Sequence, residues 1–125
     1  MSRKILIVDD EDDIRAVAQM SLEVVAGWTV ITAGSGGEAL GVAAAEQPDA
    51  ILLDVMMPDL DGPATLERLQ QDPATRIIPV VFLTAKVQAA DHRLFATMRV
   101  AGVLAKPFDP MELPGQIAGV LGWDA

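Results

Sequence analysis

Apolar residues in this chain gather into five short runs, separated by longer stretches in which they recur every three or four positions. The runs at residues 5–8, 29–33, 50–53, 78–83 and 102–105 are continuous rather than alternating, the pattern of strands buried on both faces of a parallel sheet. In the first intervening stretch, 12–25, the residues Ile14, Val17, Ala18, Ser21, Leu22 and Val25 form one helical stripe, and Gly27 stops it. The second, 35–46, opens on Ser35 with Glu38 three residues later, a helix-start signature; its alanines favour helix, Gly41 weakens it and Pro48 ends it. The third begins at Gly62 or Pro63, turns Leu66 and Leu69 inward, and closes at Asp72 and Pro73. The fourth, 87–98, is less regular. The fifth, 110–121, carries an inward stripe of Leu113, Ile117, Val120 and Leu121, but Pro114, Gly115 and Gly119 predict a frayed or kinked helix. Five β-α repeats with long crossovers predict an α/β fold, a doubly wound five-stranded parallel sheet with helices on both faces.

Composition narrows the chemistry more than the fold. A chain of 125 residues, 51% hydrophobic and 22% charged, suits one domain spanning 1–125, with a core sufficient to fold without crosslinks. With no cysteine and one histidine, thiol catalysis, thiolate metal sites and zinc clusters drop out, so any metal would be held by oxygen. The net charge of −9 opposes direct nucleic-acid binding and anionic membrane surfaces. No stretch approaches the roughly 20 apolar residues of a membrane span and no signal-peptide pattern opens the chain, so a cytoplasmic location is expected.

The acidity is uneven: Asp9, Asp10, Glu11, Asp12 and Asp13 are consecutive. Open parallel sheets place ligands beyond the carboxyl ends of their strands. There the first strand ends in Asp9 and Asp10, the third in Asp54, the fourth in Thr84, and the fifth in Lys106 and Pro107. Carboxylates brought that close repel one another and call for a cation. Mg²⁺, which takes oxygen ligands and few carboxylates, suits Asp9 or Asp10 together with Asp54, whereas the twelve-residue calcium-loop pattern is absent. Lys106 would pair with Asp54 or a phosphoryl oxygen, and Thr84 would donate its hydroxyl to the same oxygen, a set suited to phosphoryl transfer onto a carboxylate. Taken singly, each residue has an ordinary role: Asp54 as a turn cap, Asp9 and Asp10 as helix-start acids, Thr84 as a strand end, Lys106 as a rim cation. His92 reads as a solvated helical residue, Trp28 and Trp123 as packing or interface residues, and Met20, Met98 and Met111 as gap-fillers.

Four segments in order carry a resemblance over essentially the whole chain: Val8-Asp9-Asp10-Glu11, the segment from Leu53 to Gly62 with Asp54 near its start, Leu83-Thr84-Ala85, and Lys106-Pro107-Phe108. The chain resembles a response-regulator receiver domain. That resemblance implies strand order 2-1-3-4-5 in a flavodoxin-like three-layer sandwich. It also implies Asp54 as phosphoacceptor, with Thr84 and Lys106 as its catalytic partners. Mg²⁺ would be held by Asp9, Asp10, Asp54 and the backbone carbonyl of Met56, and a cis bond would precede Pro107. The implied partners are a sensor histidine kinase or histidine phosphotransfer protein as donor, and a downstream protein target or linked output domain, without direct nucleic-acid contact or membrane insertion. Such a domain phosphorylates and dephosphorylates itself rather than turning over a substrate. Val103 stands where family members commonly carry an aromatic residue, which implies an altered switch. Two other readings share the fold: a phosphorylation-independent interaction module, and an acid-phosphatase-type hydrolase, which Met56 weakens by standing where a second acid would be needed.

Overall fold

The computed structural model describes residues 3–85, 95 and 97–123. A five-stranded parallel sheet in the order β2-β1-β3-β4-β5 is built from β1 (Lys4–Val8), β2 (Thr29–Ala33), β3 (Ala50–Asp54), β4 (Val80–Thr84) and β5 (Gly102–Ala105). Four helices lie among the described residues: α1 (Asp12–Val24), α2 (Gly36–Glu46), α3 (Gly62–Gln71) and α4 (Leu113–Leu121). In the sheet's register Val8 lies between Ala33 and Leu53, Asp54 beside Leu83, and Thr84 beside Ala105, so the carboxyl ends come level along one edge.

Continuous apolar strands need cover on both sides, and two separate cores provide it. Leu6, Val8, Ile51, Leu53, Val80 and Phe82 face α2 and α3, meeting Ala39, Ala43, Leu66 and Leu69. Ile5, Ile7, Leu52, Val81 and Leu83 face α1 and α4, meeting Ala18, Leu22, Leu113 and Ile117. The result is the three-layer arrangement expected from the sequence. Each fully buried Leu or Ile contributes about 1.5–3 kcal/mol relative to exposure.

Helix ends follow the local chemistry. Ser35 Oγ accepts the Glu38 N–H at 3.1 Å, while Glu38 Oε1 accepts the Gly34 N–H at 2.6 Å, so each satisfies a donor at the start of α2. Asp61 caps α3 by accepting the Ala64 N–H at 2.9 Å. Past α1, Gly27 takes φ +70°, a left-handed conformation that lets its N–H reach Glu23 O at 3.1 Å. At the amino-terminal edge of the sheet, Trp28 and Trp123 pack edge to face with centroids 5.4 Å apart, and Arg3 lies 4.5 Å over the Trp123 ring.

Several expectations shift in detail. The fourth strand starts at Val80, since Pro79 brings no N–H to a ladder. The last helix starts at Leu113 rather than Pro110, which leaves Pro114 in its first turn, where a missing donor costs nothing. Val17, Val25 and Val120, expected inward, are 43%, 42% and 37% exposed, and Met20 and Met111 protrude into solvent rather than filling gaps. Most of the expected helix over 87–98 and His92 lie outside the described residues; Phe95 is helical and packs edge to face on Phe82, while Thr97 and Met98 are already in a turn.

Candidate functional site: an aspartate triad around one lysine

Beyond Val8 the chain leaves the sheet with Asp9 buried and Asp10 exposed. Three bonds fix that turn. The Asp9 N–H donates to Ala33 O at 3.2 Å, Asp9 Oδ1 accepts the Glu11 N–H at 2.9 Å, and Arg15 Nη1 donates to the Asp9 carbonyl at 2.7 Å. The second Arg15 nitrogen pairs with Asp12. Asp54 is the last residue of β3 and is buried, with Oδ1 accepting the Met56 N–H at 3.4 Å; the Met56 side chain points out to solvent. Thr84, also buried, ends the neighbouring strand, and its carbonyl accepts the Lys106 N–H at 2.9 Å. The Lys106–Pro107 bond is cis, as the resemblance implied.

The turn after β3 closes tightly against the site. A Cβ on Gly62 would come within 2.7 Å of both Asp54 O and Val55 Cα, so only glycine lets α3 start this close to the aspartate.

Lys106 Nζ bridges two carboxylates, 2.9 Å from Asp9 Oδ2 and 3.2 Å from Asp54 Oδ1. Asp9, Asp10 and Asp54 can each place an oxygen within 4.8 Å of the others, so among the described residues one ammonium stands against three carboxylates. Among the described residues neither Asp9 Oδ2 nor Asp54 Oδ2 has a hydrogen-bonded partner, although the former lies against the ammonium. Buried carboxylate oxygens without donors are costly, and a hard cation is the group that would satisfy them. Burial pushes the Asp54 carboxyl up to about 6; the Asp9 charge adds to this and the Lys106 ammonium opposes it. Burial disfavours the charged form of Lys106, but Asp9 and then Asp54 outweigh that and hold it above its ordinary value.

Asp9, Asp10, Asp54 and Lys106, singled out in the sequence, thus meet at one point, with Thr84 on the adjoining strand end and the Met56 backbone on the loop. Two features escaped sequence reading. Arg15 is one, because a basic residue in an acidic helix start gives no sign that it anchors the preceding loop. The other is a cleft of about 420 Å³ whose lining includes Ile14, Val17, Lys106, Pro107 and Phe108, with Glu11 and Asp13 at its acidic side.

A doubly wound parallel sheet whose strand ends gather an aspartate triad around one lysine defines a receiver fold. Residues 5–118 match the response regulator receiver domain family, and the chain belongs to it. It is 40% identical over 121 residues to the alkaline phosphatase synthesis transcriptional regulatory protein PhoP of Bacillus subtilis, covering 97% of this chain and 49% of that one. It is 42% identical over 115 residues to the response regulator PleD of Caulobacter vibrioides, covering 90% of this chain and 25% of that one. The chain therefore spans half or less of the length of these curated relatives. Among solved structures, the chemotaxis protein CheY4 of Vibrio cholerae superposes with a TM-score of 0.89 at 30% identity, covering 96% of this chain and 99% of that one.

Proposed function

We propose that residues 1–125 act as one phosphoacceptor receiver unit of a two-component phosphorelay, in which Asp54 takes a phosphoryl group from a phosphohistidine and the product alters protein contacts. The observation that carries this reading is the buried Asp54 oxygen without a donor among the described residues, set among two further aspartates and a bridging lysine. The Asp54 carboxylate attacks phosphorus in line; an O–P bond forms, the P–N bond of the donor breaks, and the imidazole leaves. Asp9, Asp10, Asp54 and the Met56 carbonyl would hold Mg²⁺, which when bound supplies charge neutralisation for the transferred oxygens. Lys106 exchanges its contact with Asp54 for a phosphoryl oxygen, and the Thr84 hydroxyl donates to another. Hydrolysis of the acyl phosphate by water resets the unit.

The apolar cleft beside Lys106 offers the donor, a sensor histidine kinase or phosphotransfer protein, a surface reaching to the acceptor. The regulatory relatives support a downstream protein target or a linked output domain as the reader of the modified state. No described helix is long and apolar enough to cross a membrane; a cytoplasmic site of action is part of the proposal.

The test is incubation with a small phosphoryl donor, with and without Mg²⁺, followed by intact mass. A gain of one phosphoryl group that requires Mg²⁺ and vanishes in Asp54→Asn is expected; no gain under any donor or metal condition overturns the reading. Val103 favours a second reading, a phosphorylation-independent interaction module, because this half-buried residue brings no ring to rotate in the α2/α3 core. Amide shifts confined to the loops around Asp54 after phosphorylation would select that reading; shifts reaching β5 would exclude it.

A further inference from the structure

The opposite edge of the sheet holds a second recess. A cleft of about 560 Å³ opens where β4 and β5 begin, lined chiefly by Gln70, Arg76, Ile77, Pro79 and Arg99, with no acidic residue in its wall. We infer that this cleft docks an acidic peptide segment of a partner protein, one that carries an apolar side chain beside its carboxylates.

Charge is the first support. Lys4 pairs with Glu46, Arg15 with Asp12, and Lys106 with Asp9 and Asp54. Arg76 and Arg99 are exposed and form no ion pair among the described residues, in a chain with twice as many acidic as basic side chains. Two exposed guanidinium groups in one recess match carboxylates, which they hold in bidentate fashion.

Rigidity is the second support. Thr75 is buried and its hydroxyl donates to Leu69 O at 2.7 Å; the Arg76 N–H donates to Asp72 O at 2.9 Å, and the Ile78 N–H to Thr75 O at 3.0 Å. On the other wall, Gln70 Nε2 donates to Arg99 O at 3.1 Å. Both arginines therefore project from tethered backbone. Ile77 stands 82% exposed between buried Thr75 and Ile78, and its branched side chain has little freedom to turn away. One exposed isoleucine is ordinary on a protein surface, but beside two exposed arginines in a concave wall it supplies the apolar contact a peptide anchor needs.

Other occupants fit less well. A symmetric second copy would set four guanidinium groups face to face. A nucleic-acid backbone would meet the field of a chain with net charge −9. The cleft is also separate from the acceptor: the length of β4 puts Thr84 roughly 13 Å along the strand from Val80.

The test titrates the ¹⁵N-labelled protein at low ionic strength with an acetylated Glu-Glu-Leu-Glu-Glu-Leu peptide, and with the same peptide carrying Gln for Glu. Saturable amide shifts at Arg76, Ile77, Arg99 and Ala101 are expected with the acidic peptide only. They should weaken at least about tenfold in Arg76→Gln/Arg99→Gln, whose thermal melt checks its fold, and fade as salt is raised. Asp54→Asn, which lacks the acceptor, should retain them, so failure here is distinguishable from failure of the proposed function. Absence of saturation at millimolar peptide, unchanged shifts in the folded double variant, or tighter binding of single-stranded DNA or anionic vesicles would overturn the inference.

Discussion

At Asp54 the forces on one carboxyl disagree, and their balance sets measurable behaviour. The neighbouring Lys106 favours the ionised form, yet burial and the Asp9 charge win and raise the carboxyl to about 6. A carboxyl that holds its proton more tightly folded than unfolded stabilises the fold below its unfolded pKa of 3.8, and that contribution is lost as pH rises through about 6. Metal-free protein should thus lose roughly 2 kcal/mol from this group between pH 4 and 7, readable as a falling urea midpoint in the presence of chelator. Asp54→Asn should flatten that slope and be the more stable chain at neutral pH without metal. A wild-type midpoint that stays level across the range would show that Asp54 is not strained. Adding Mg²⁺ at about a hundred times its Kd should return about 2.7 kcal/mol to the wild type, and much less to the variant. The meeting of the aspartates was legible because their positions at strand ends could be read from the apolar runs before them. The Lys106 bridge to both Asp9 and Asp54 was not: sequence reading allowed it one partner, and which oxygens it reaches depends on how strands distant in sequence align.

Elements were legible wherever a local signal also satisfied the packing. Ser35 and Glu38 predicted the start of α2, and both bonds form. Ser35→Ala should cost about 1 kcal/mol in chemical denaturation, because it removes the oxygen that accepts the Glu38 N–H at the start of α2. Gly62→Ala should behave differently. The added methyl would strike the Asp54 carbonyl and the Val55 backbone, costing about 1–3 kcal/mol and displacing the acceptor strand end, so Mg²⁺ affinity should fall along with stability. If Gly62→Ala binds Mg²⁺ as well as wild type does, the loop has absorbed the methyl and the close approach is not required. What the pattern misjudged was the outer margin of helices. Val17 and Val25 sit at helical spacing from the buried Ser21, but α1 meets the sheet over a narrow stripe, and hydrophobicity alone does not say how wide that stripe is. Val17 instead lines the recess next to Lys106. The start of α4 was misplaced because Pro110 is as compatible with a helix's first turn as with the loop before it.

Across the whole molecule, parallel pairing sends every strand the same way and so gives the sheet two chemically distinct edges. The carboxyl edge collects Asp9, Asp10, Asp54, Thr84 and Lys106; the amino edge collects Arg76, Arg99 and the aromatic pair of Trp28 and Trp123. Polarity of this kind follows from topology, and it was legible once the β-α alternation was recognised, whereas the pairing of the two tryptophans, almost a hundred residues apart, was not. That pairing has an optical consequence. The chain has two tryptophans and no tyrosine, so its near-ultraviolet emission comes almost wholly from one edge-to-face pair beneath the Arg3 guanidinium. Loading the far edge with Mg²⁺ or a phosphoryl group should leave that emission unchanged, while global unfolding should part the rings and shift it to the red. A change in emission at metal concentrations that leave the fold intact would mean that the two edges communicate through the sheet. Without such a change, tryptophan fluorescence monitors folding without interference from ligation, and ligation must be followed by mass or by amide resonances.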